Sequence, residues 1–222
     1  MTRTCNAPGC TLEVAGLSYF CRAHKARKAR HGDALQQGIS INRLRPYLRL
    51  VSQARQRNPE ARIWALLSAG WVSLVTQADA LQAAAEDGQP FHRYRLIAAQ
   101  QLIAINKVAS PEKVIDHGLA MTWLWQEEPR AFASDDAFRA QMARRIRLLA
   151  PRLSRGTYWN DKLKRVSSVV QELPPKVALP LGQQLIELFG PVGIKLAELE
   201  RIRLPPAEAA RRTLQAALEE LQ

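Results

Sequence analysis

The chain has 222 residues, and its 32 Lys and Arg against 20 Asp and Glu leave a formal net charge of +12. Hydrophobic residues make up 47%, a globular composition and not a disordered one, and the length suits one sizeable helical domain or two small ones beside an appended module. The positive balance points to a polyanionic partner, nucleic acid or an acidic membrane surface. No apolar run approaches the length of a membrane span, and no secretory apolar segment opens the chain. The expected setting is therefore cytoplasmic.

The strongest chemical signal comes first. Cys5-Asn6-Ala7-Pro8-Gly9-Cys10 is followed ten residues later by Cys21-Arg22-Ala23-His24. Together these stretches use every cysteine in the chain and one of its four histidines. Three thiolates and an imidazole make a closed four-coordinate shell, so Cys5, Cys10, Cys21 and His24 are expected to bind a structural zinc ion. Pro8-Gly9 lets the chain reverse so that two sulfurs face one point. Residues three apart share a face in the first turn of a helix, which suits Cys21 and His24. Between the pairs, Leu12-Glu13-Val14 and Leu17-Ser18-Tyr19-Phe20 flank Ala15-Gly16, a pattern that predicts a hairpin turning at the glycine. An odd cysteine count argues against a disulfide. Metal binding should supply most of the folding energy of so short a segment.

The spacing Cys-x4-Cys-x10-Cys-x2-His, with a basic run and then His31-Gly32-Asp33, resembles the short zinc-binding segment of phage and bacterial HNH-type endonucleases and related mobile-element proteins. The resemblance covers about residues 1–33. It implies the same four ligands and a DNA-associated role in a phage or mobile element. The nuclease core itself is not found, because His31, His92 and His117 are scattered along stretches that read as helical.

Charge is unevenly placed. Residues 1–62 carry +9 and residues 137–176 carry +8, while 63–90 and 109–136 are net acidic. Lys25-Ala26-Arg27-Lys28-Ala29-Arg30 continues the metal segment as a basic helix, whose cations are expected to contact phosphates together with Arg22. Gly32 to Ser40 reads as a linker. Ser40 then caps a helix to Arg57, with Leu44, Tyr47, Leu48 and Val51 on its apolar face and Arg43, Arg45 and Arg49 as further phosphate contacts.

Asn58-Pro59-Glu60 predicts the start of a helix that runs to Asp87 and stops at Gly88. Trp64, Leu67, Trp71, Leu74, Val75 and Leu81 form its stripe, which reads as core. A helix over Pro90 to Val108 follows, and Ser110-Pro111-Glu112 opens another through Trp125. His117 within it reads as a packed histidine, and Glu127-Glu128 as a solvated helix end. Ser134-Asp135-Asp136 caps the next helix, which carries Arg144 and Arg145.

The stretch from Arg152 through Arg155, Tyr158, Trp159, Lys162, Lys164 and Arg165 reads as a loop. It interleaves aromatics with cations, as sites that stack bases and track phosphates do. Pro174-Pro175, Pro180, Gly190-Pro191 and Pro205-Pro206 are expected to divide the remainder into short helices. The last, Ala207 to Leu221, is an amphipathic helix suited to packing or homo-oligomer formation.

The expected architecture is mostly α: about eight helices behind a small N-terminal zinc module, with no strand outside it. The divisions are 1–32 for the module and its basic helix, 40–150 for a helical domain, and 151–222 for a basic loop and C-terminal helices packed on that domain. Three functions follow from these features. The first is a zinc-dependent nucleic-acid-binding protein, with DNA favoured and no membrane partner. The second is an adaptor that uses a structural zinc site to meet an acidic protein. The third is a divergent nuclease. No catalytic constellation is identified.

Overall fold

A computed structural model describes residues 3–14, 16–150, 154–160, 165–170 and 172–203, with backbone alone for 154–160 and 165–170. The fold is mostly α, as the sequence predicts. It begins with two short antiparallel strands, β1 (Arg3–Thr4) and β2 (Glu13–Val14), which lead to α1 (Arg22–His31). Five helices follow: α2 (Ile41–Arg57), α3 (Arg62–Glu86), α4 (Arg93–Asn106), α5 (Pro111–Glu127) and α6 (Asp135–Arg147). A second antiparallel pair, β3 (Ser154–Asn160) and β4 (Arg165–Val170), precedes the long α7 (Pro175–Arg203).

Three serines define helix starts by one mechanism. The hydroxyls of Ser40, Ser110 and Ser134 accept from the backbone N–H of Arg43, Lys113 and Ala137, satisfying a donor that a helix N-terminus otherwise leaves unpaired. The core they bracket is continuous. Trp71, Ile105, Leu119, Met121, Trp123, Met142, Leu181 and Phe189 are all essentially inaccessible and belong to one cluster. Trp64 and Trp71 are core residues with satisfied indole N–H groups, donating to the Asn58 carbonyl (2.8 Å) and to Asn106 Oδ1 (2.9 Å).

α7 packs against α5 and α6 at the centre of the domain. Its approach is close enough that a Cβ at Gly182 would overlap the Arg139 carbonyl, and one at Gly118 would overlap the Phe189 ring.

The structure corrects five expectations. β2 pairs with β1 and not with Leu17–Phe20, because the turn at Pro8-Gly9 folds the chain's first residues back onto Glu13–Val14. Asn58 ends α2 instead of opening the next helix: its N–H donates to the Ala54 and Arg55 carbonyls, and α3 starts after Ala61. The stretch read as a loop holds β3 and β4, so strands do occur outside the metal module.

Pro180 and Pro191 do not break the C-terminal region either, whereas α7 does begin at Pro174-Pro175, and Pro205-Pro206 lies outside the described residues. Pro180 and Pro191 lie inside one helix of 29 residues. Each removes a hydrogen bond at a cost of about 3 kcal/mol, and burial of Leu181, Leu185 and Phe189, at roughly 1.5–3 kcal/mol each, offsets it. Continuity through the prolines also makes α7 long and apolar enough, by length and composition, to cross a membrane. Its buried face is spent on the core.

Finally, Glu127 is exposed as a solvated end should be, but Glu128 is not. Glu128 is paired with Arg43 and accepts the Tyr47 hydroxyl at 2.5 Å, tying α5 to α2, while Glu127 accepts the Trp123 indole at 2.7 Å. Burial of Tyr47 and the neighbouring Glu128 carboxylate raise its phenol above the ordinary range. The predicted helix over 207–221 lies outside the described residues.

Candidate metal centre

The metal module has its own small core of Cys5, Ala7, Val14 and Cys21, separate from that of the helical domain. Its backbone is built to bring four side chains together. The Cys10 N–H donates to the Ala7 carbonyl across Pro8-Gly9, with Gly9 at φ 72°, a turn that needs glycine at the positive-φ position. Cys5 N–H donates to the Leu12 carbonyl, and Asn6 N–H to that of Tyr19. Cys21 caps α1, and its own N–H donates to Cys5 Sγ at 3.3 Å.

The result is a cluster of Cys5, Cys10, Cys21 and His24 whose donor atoms all lie within 4.8 Å of one another. His24 Nδ1 is 3.4 Å from Cys5 Sγ and 3.3 Å from Cys21 Sγ, and the Cys10 and Cys21 sulfurs are 4.0 Å apart. Four soft or borderline donors at these separations can hold one metal ion.

Electrostatics within the cluster favour a cation. Burial works against a Cys5 thiolate, but the Cys21 and Ala7 amides and the adjacent thiols outweigh it and bring Cys5 down to about 6. At Cys10 the Leu12 amide favours ionisation, and burial with the Cys5 and Cys21 sulfurs outweighs that, pushing the thiol up. Successive thiolates repel one another, and a bound cation removes the repulsion.

The basic residues separate into two groups. In α1, every residue from Arg22 to Arg30 except His24 is exposed. Arg22, Lys25, Arg27 and Lys28 make no ion pair among the described residues, Lys28 sits over the Phe20 ring, and Arg30 reaches Glu172 at 3.4 Å. Arg45 and Arg49 of α2 are exposed as well.

The others are engaged within the fold. Arg43 is held by Glu128 and Arg144 by Glu172, and Arg145 is buried within α6. Arg155, Tyr158, Trp159 and Arg165 lie on β3 and β4, whose side chains are outside the described residues, as are Arg152, Lys162 and Lys164 altogether.

The remaining histidines are dispersed. His92 caps α4, His117 in α5 faces the Lys113 carbonyl at 2.8 Å, and His31 ends α1. His31 Nδ1 accepts from Gln141 Nε2 at 2.9 Å, and the other atom of that amide, Gln141 Oε1, accepts the Ile39 N–H at 3.0 Å. Burial lowers the pKa of both His31 and His117, and nearby arginines add to the effect.

The pattern reading missed the loop before α1. Expected to alternate as a strand, it instead leaves Leu17 91% and Tyr19 67% exposed. An apolar pair before a basic run was the available signal.

No protein-family model matches the chain, and neither does any curated protein or solved structure.

Proposed function

We propose that the chain is a nucleic-acid-binding protein, with DNA the favoured partner, in which a structural zinc ion folds the N-terminal module and α1 grips the phosphate backbone. A tetrahedral site with Zn–S near 2.3 Å and Zn–N near 2.0–2.1 Å requires about 3.8 Å between sulfurs and about 3.6 Å between sulfur and nitrogen. The observed 4.0 Å and 3.3–3.4 Å are close to those spacings. Four protein ligands complete the shell, which leaves no position for a reacting water and favours a structural role over a catalytic one. The likeness of residues 1–33 to the zinc segment of HNH-type endonucleases supports the same reading, including a mobile-element setting.

The observation that carries the nucleic-acid reading is α1. Four of its cations, Arg22, Lys25, Arg27 and Lys28, are exposed and have no carboxylate partner among the described residues. Arg43, Arg55, Arg57 and Arg144, by contrast, are engaged by Glu128, Asp116, Glu200 and Glu172. Unpaired cations on one short helix suit counterion release from a polyphosphate backbone.

The test is binding of metal-quantified protein to duplex DNA, single-stranded DNA and RNA across a salt series. Four phosphate contacts give a slope of log K against log salt of about −3.6 for duplex and about −2.8 for single strands. Replacing Arg22, Lys25, Arg27 and Lys28 by alanine should abolish most of that slope. A wild-type affinity that ignores salt refutes the electrostatic account, and capture of an acidic protein with no nucleic-acid binding would favour the adaptor.

A further inference from the structure

Exposed apolar side chains usually occur singly and need no explanation. The loop before α1 is different because its backbone is fixed. Gly16 turns the chain at φ 66°, Ser18 Oγ accepts the Phe20 N–H at 3.2 Å and donates to the Phe20 carbonyl at 2.9 Å, and the Tyr19 carbonyl accepts from Asn6 at 2.9 Å. Tyr19 is two residues from the ligand Cys21 and three from Arg22.

Its neighbour Phe20 turns inward beneath Lys28, whereas the Tyr19 ring and hydroxyl have no hydrogen-bond or ring partner among the described residues. An aromatic face is thus presented from an ordered backbone at the positive end of a cationic helix. Holding it there costs little further ordering when a ligand arrives.

Resting on the nucleic-acid reading above, we propose that Tyr19 stacks on an unpaired nucleobase of a strand whose phosphates lie along α1, so that the module takes single-stranded nucleic acid in preference to duplex. The occupant follows from charge and shape together. The cations of α1 require a polyanion, and the aromatic face requires a flat π-system attached to it. In a duplex the base faces are covered by their neighbours, whereas a single strand offers a free face at every nucleotide. Leu17, two residues before Tyr19 and 91% exposed, adds apolar surface to the same loop.

The experiment measures binding of the full, metal-loaded protein to oligo(dT), oligo(U) and a blunt duplex of equal length. It compares wild type with Tyr19→Ala, Tyr19→Phe, Tyr19→Leu and the α1 quadruple alanine variant. Metal content reports folding of each module. Stacking on one base predicts that Tyr19→Ala weakens single-strand binding roughly 5- to 150-fold. The salt slope should be unchanged, because no phosphate contact is lost. Tyr19→Phe should remain near wild type, and Tyr19→Leu, which keeps apolar bulk without a π face, should be as weak as alanine. The two oligonucleotides separate DNA from RNA as the source of the strand.

Full-strength binding by a metal-loaded Tyr19→Ala or Tyr19→Leu variant, alongside loss in the quadruple variant, overturns stacking and leaves the phosphate reading intact. Duplex binding at least as tight as single-strand binding also overturns the proposal. Absence of any wild-type binding overturns the nucleic-acid reading and this proposal with it. Self-association that Tyr19→Ala abolishes, without strand binding, assigns the exposed pair to a second copy instead.

Discussion

Removing the metal should unfold the module and spare the helical domain. The reason is the smallness of what remains. Without the ion, the module's core consists of Val14 and Ala7 beside two buried cysteines, with Phe20 and Cys10 only partly buried against them. Burying a valine contributes about 1.5–3 kcal/mol and an alanine less. Four tying hydrogen bonds, from the N–H groups of Cys5, Asn6, Cys10 and Cys21, add about 1 kcal/mol each. Against this stands the ordering of residues 4–21, at roughly 1 kcal/mol per residue even at the low end. The shortfall is on the order of 10 kcal/mol, comparable to the roughly 10–16 kcal/mol that structural zinc supplies to short modules. α1 adds no buried residue of its own to close the gap.

Chelation should therefore abolish amide-exchange protection in β1, β2 and α1 and open Arg22, Lys25, Arg27 and Lys28 to trypsin. The amides of α5, α6 and α7 should keep theirs. Undiminished protection of α1 in protein shown to contain no metal would refute the accounting.

Three further outcomes are expected. Gly182→Ala should destabilise the helical domain by about 1–3 kcal/mol or more in urea denaturation, because its Cβ would overlap the Arg139 carbonyl. Gly88→Ala, which meets nothing within 4 Å, should cost only the about 1–2 kcal/mol of a left-handed residue. Glu128→Ala strands the Tyr47 hydroxyl and releases Arg43; a loss of about 1–3 kcal/mol is expected, and a stability equal to wild type would show that the tie between α2 and α5 contributes nothing.

The fourth concerns pH. Among Arg144, Glu172, Arg30 and Arg27, His31 has its pKa lowered, chiefly by burial, so the unfolded chain binds the proton more readily than the folded one. Its contribution is complete above about pH 6.5 and is lost as pH falls through the lower, folded-state value. Urea midpoints at pH 7.5 and 5.5 should differ more in wild type than in His31→Gln, and an equal difference in the two proteins would rule His31 out as the source.

Legibility in the sequence followed the range over which the determining physics acts. The caps at Ser40, Ser110 and Ser134 are decisions of four residues, and each was readable. The four donors converge in the structure because their spacing already contains the turn at Gly9 and the helical interval from Cys21 to His24.

What failed depended on distant partners. Asn58 carries the composition of a helix start, yet the end of α2 claims it. Pro180 and Pro191 look like breakers until the pull of the core on Leu181 and Phe189 is counted. Arginines look alike in sequence, and only the fold distinguishes Arg43, held by a glutamate 85 residues away, from Arg45, which is exposed. β3 and β4 carried a local signal in Thr157-Tyr158-Trp159 and Val166 to Val170. The cations interleaved with it give the same stretch the composition of a loop.

The junction at the end of α1 has a mechanical consequence. Arg30 reaches Glu172, His31 meets Gln141, and Gly32, at φ 86°, lies against the Asp136 backbone. All three attachments fall in the last turn, while the donor cluster lies at the opposite end of a helix about 15 Å long. The module is thus mounted as a cantilever, clamped at its base and loaded at its tip. Loosening the clamp, for instance by His31→Ala, leaves both halves folded but frees their relative angle. A short ligand that touches only the tip would bind as before. A longer one that also reached the helical domain would lose the effective concentration that a fixed geometry provides.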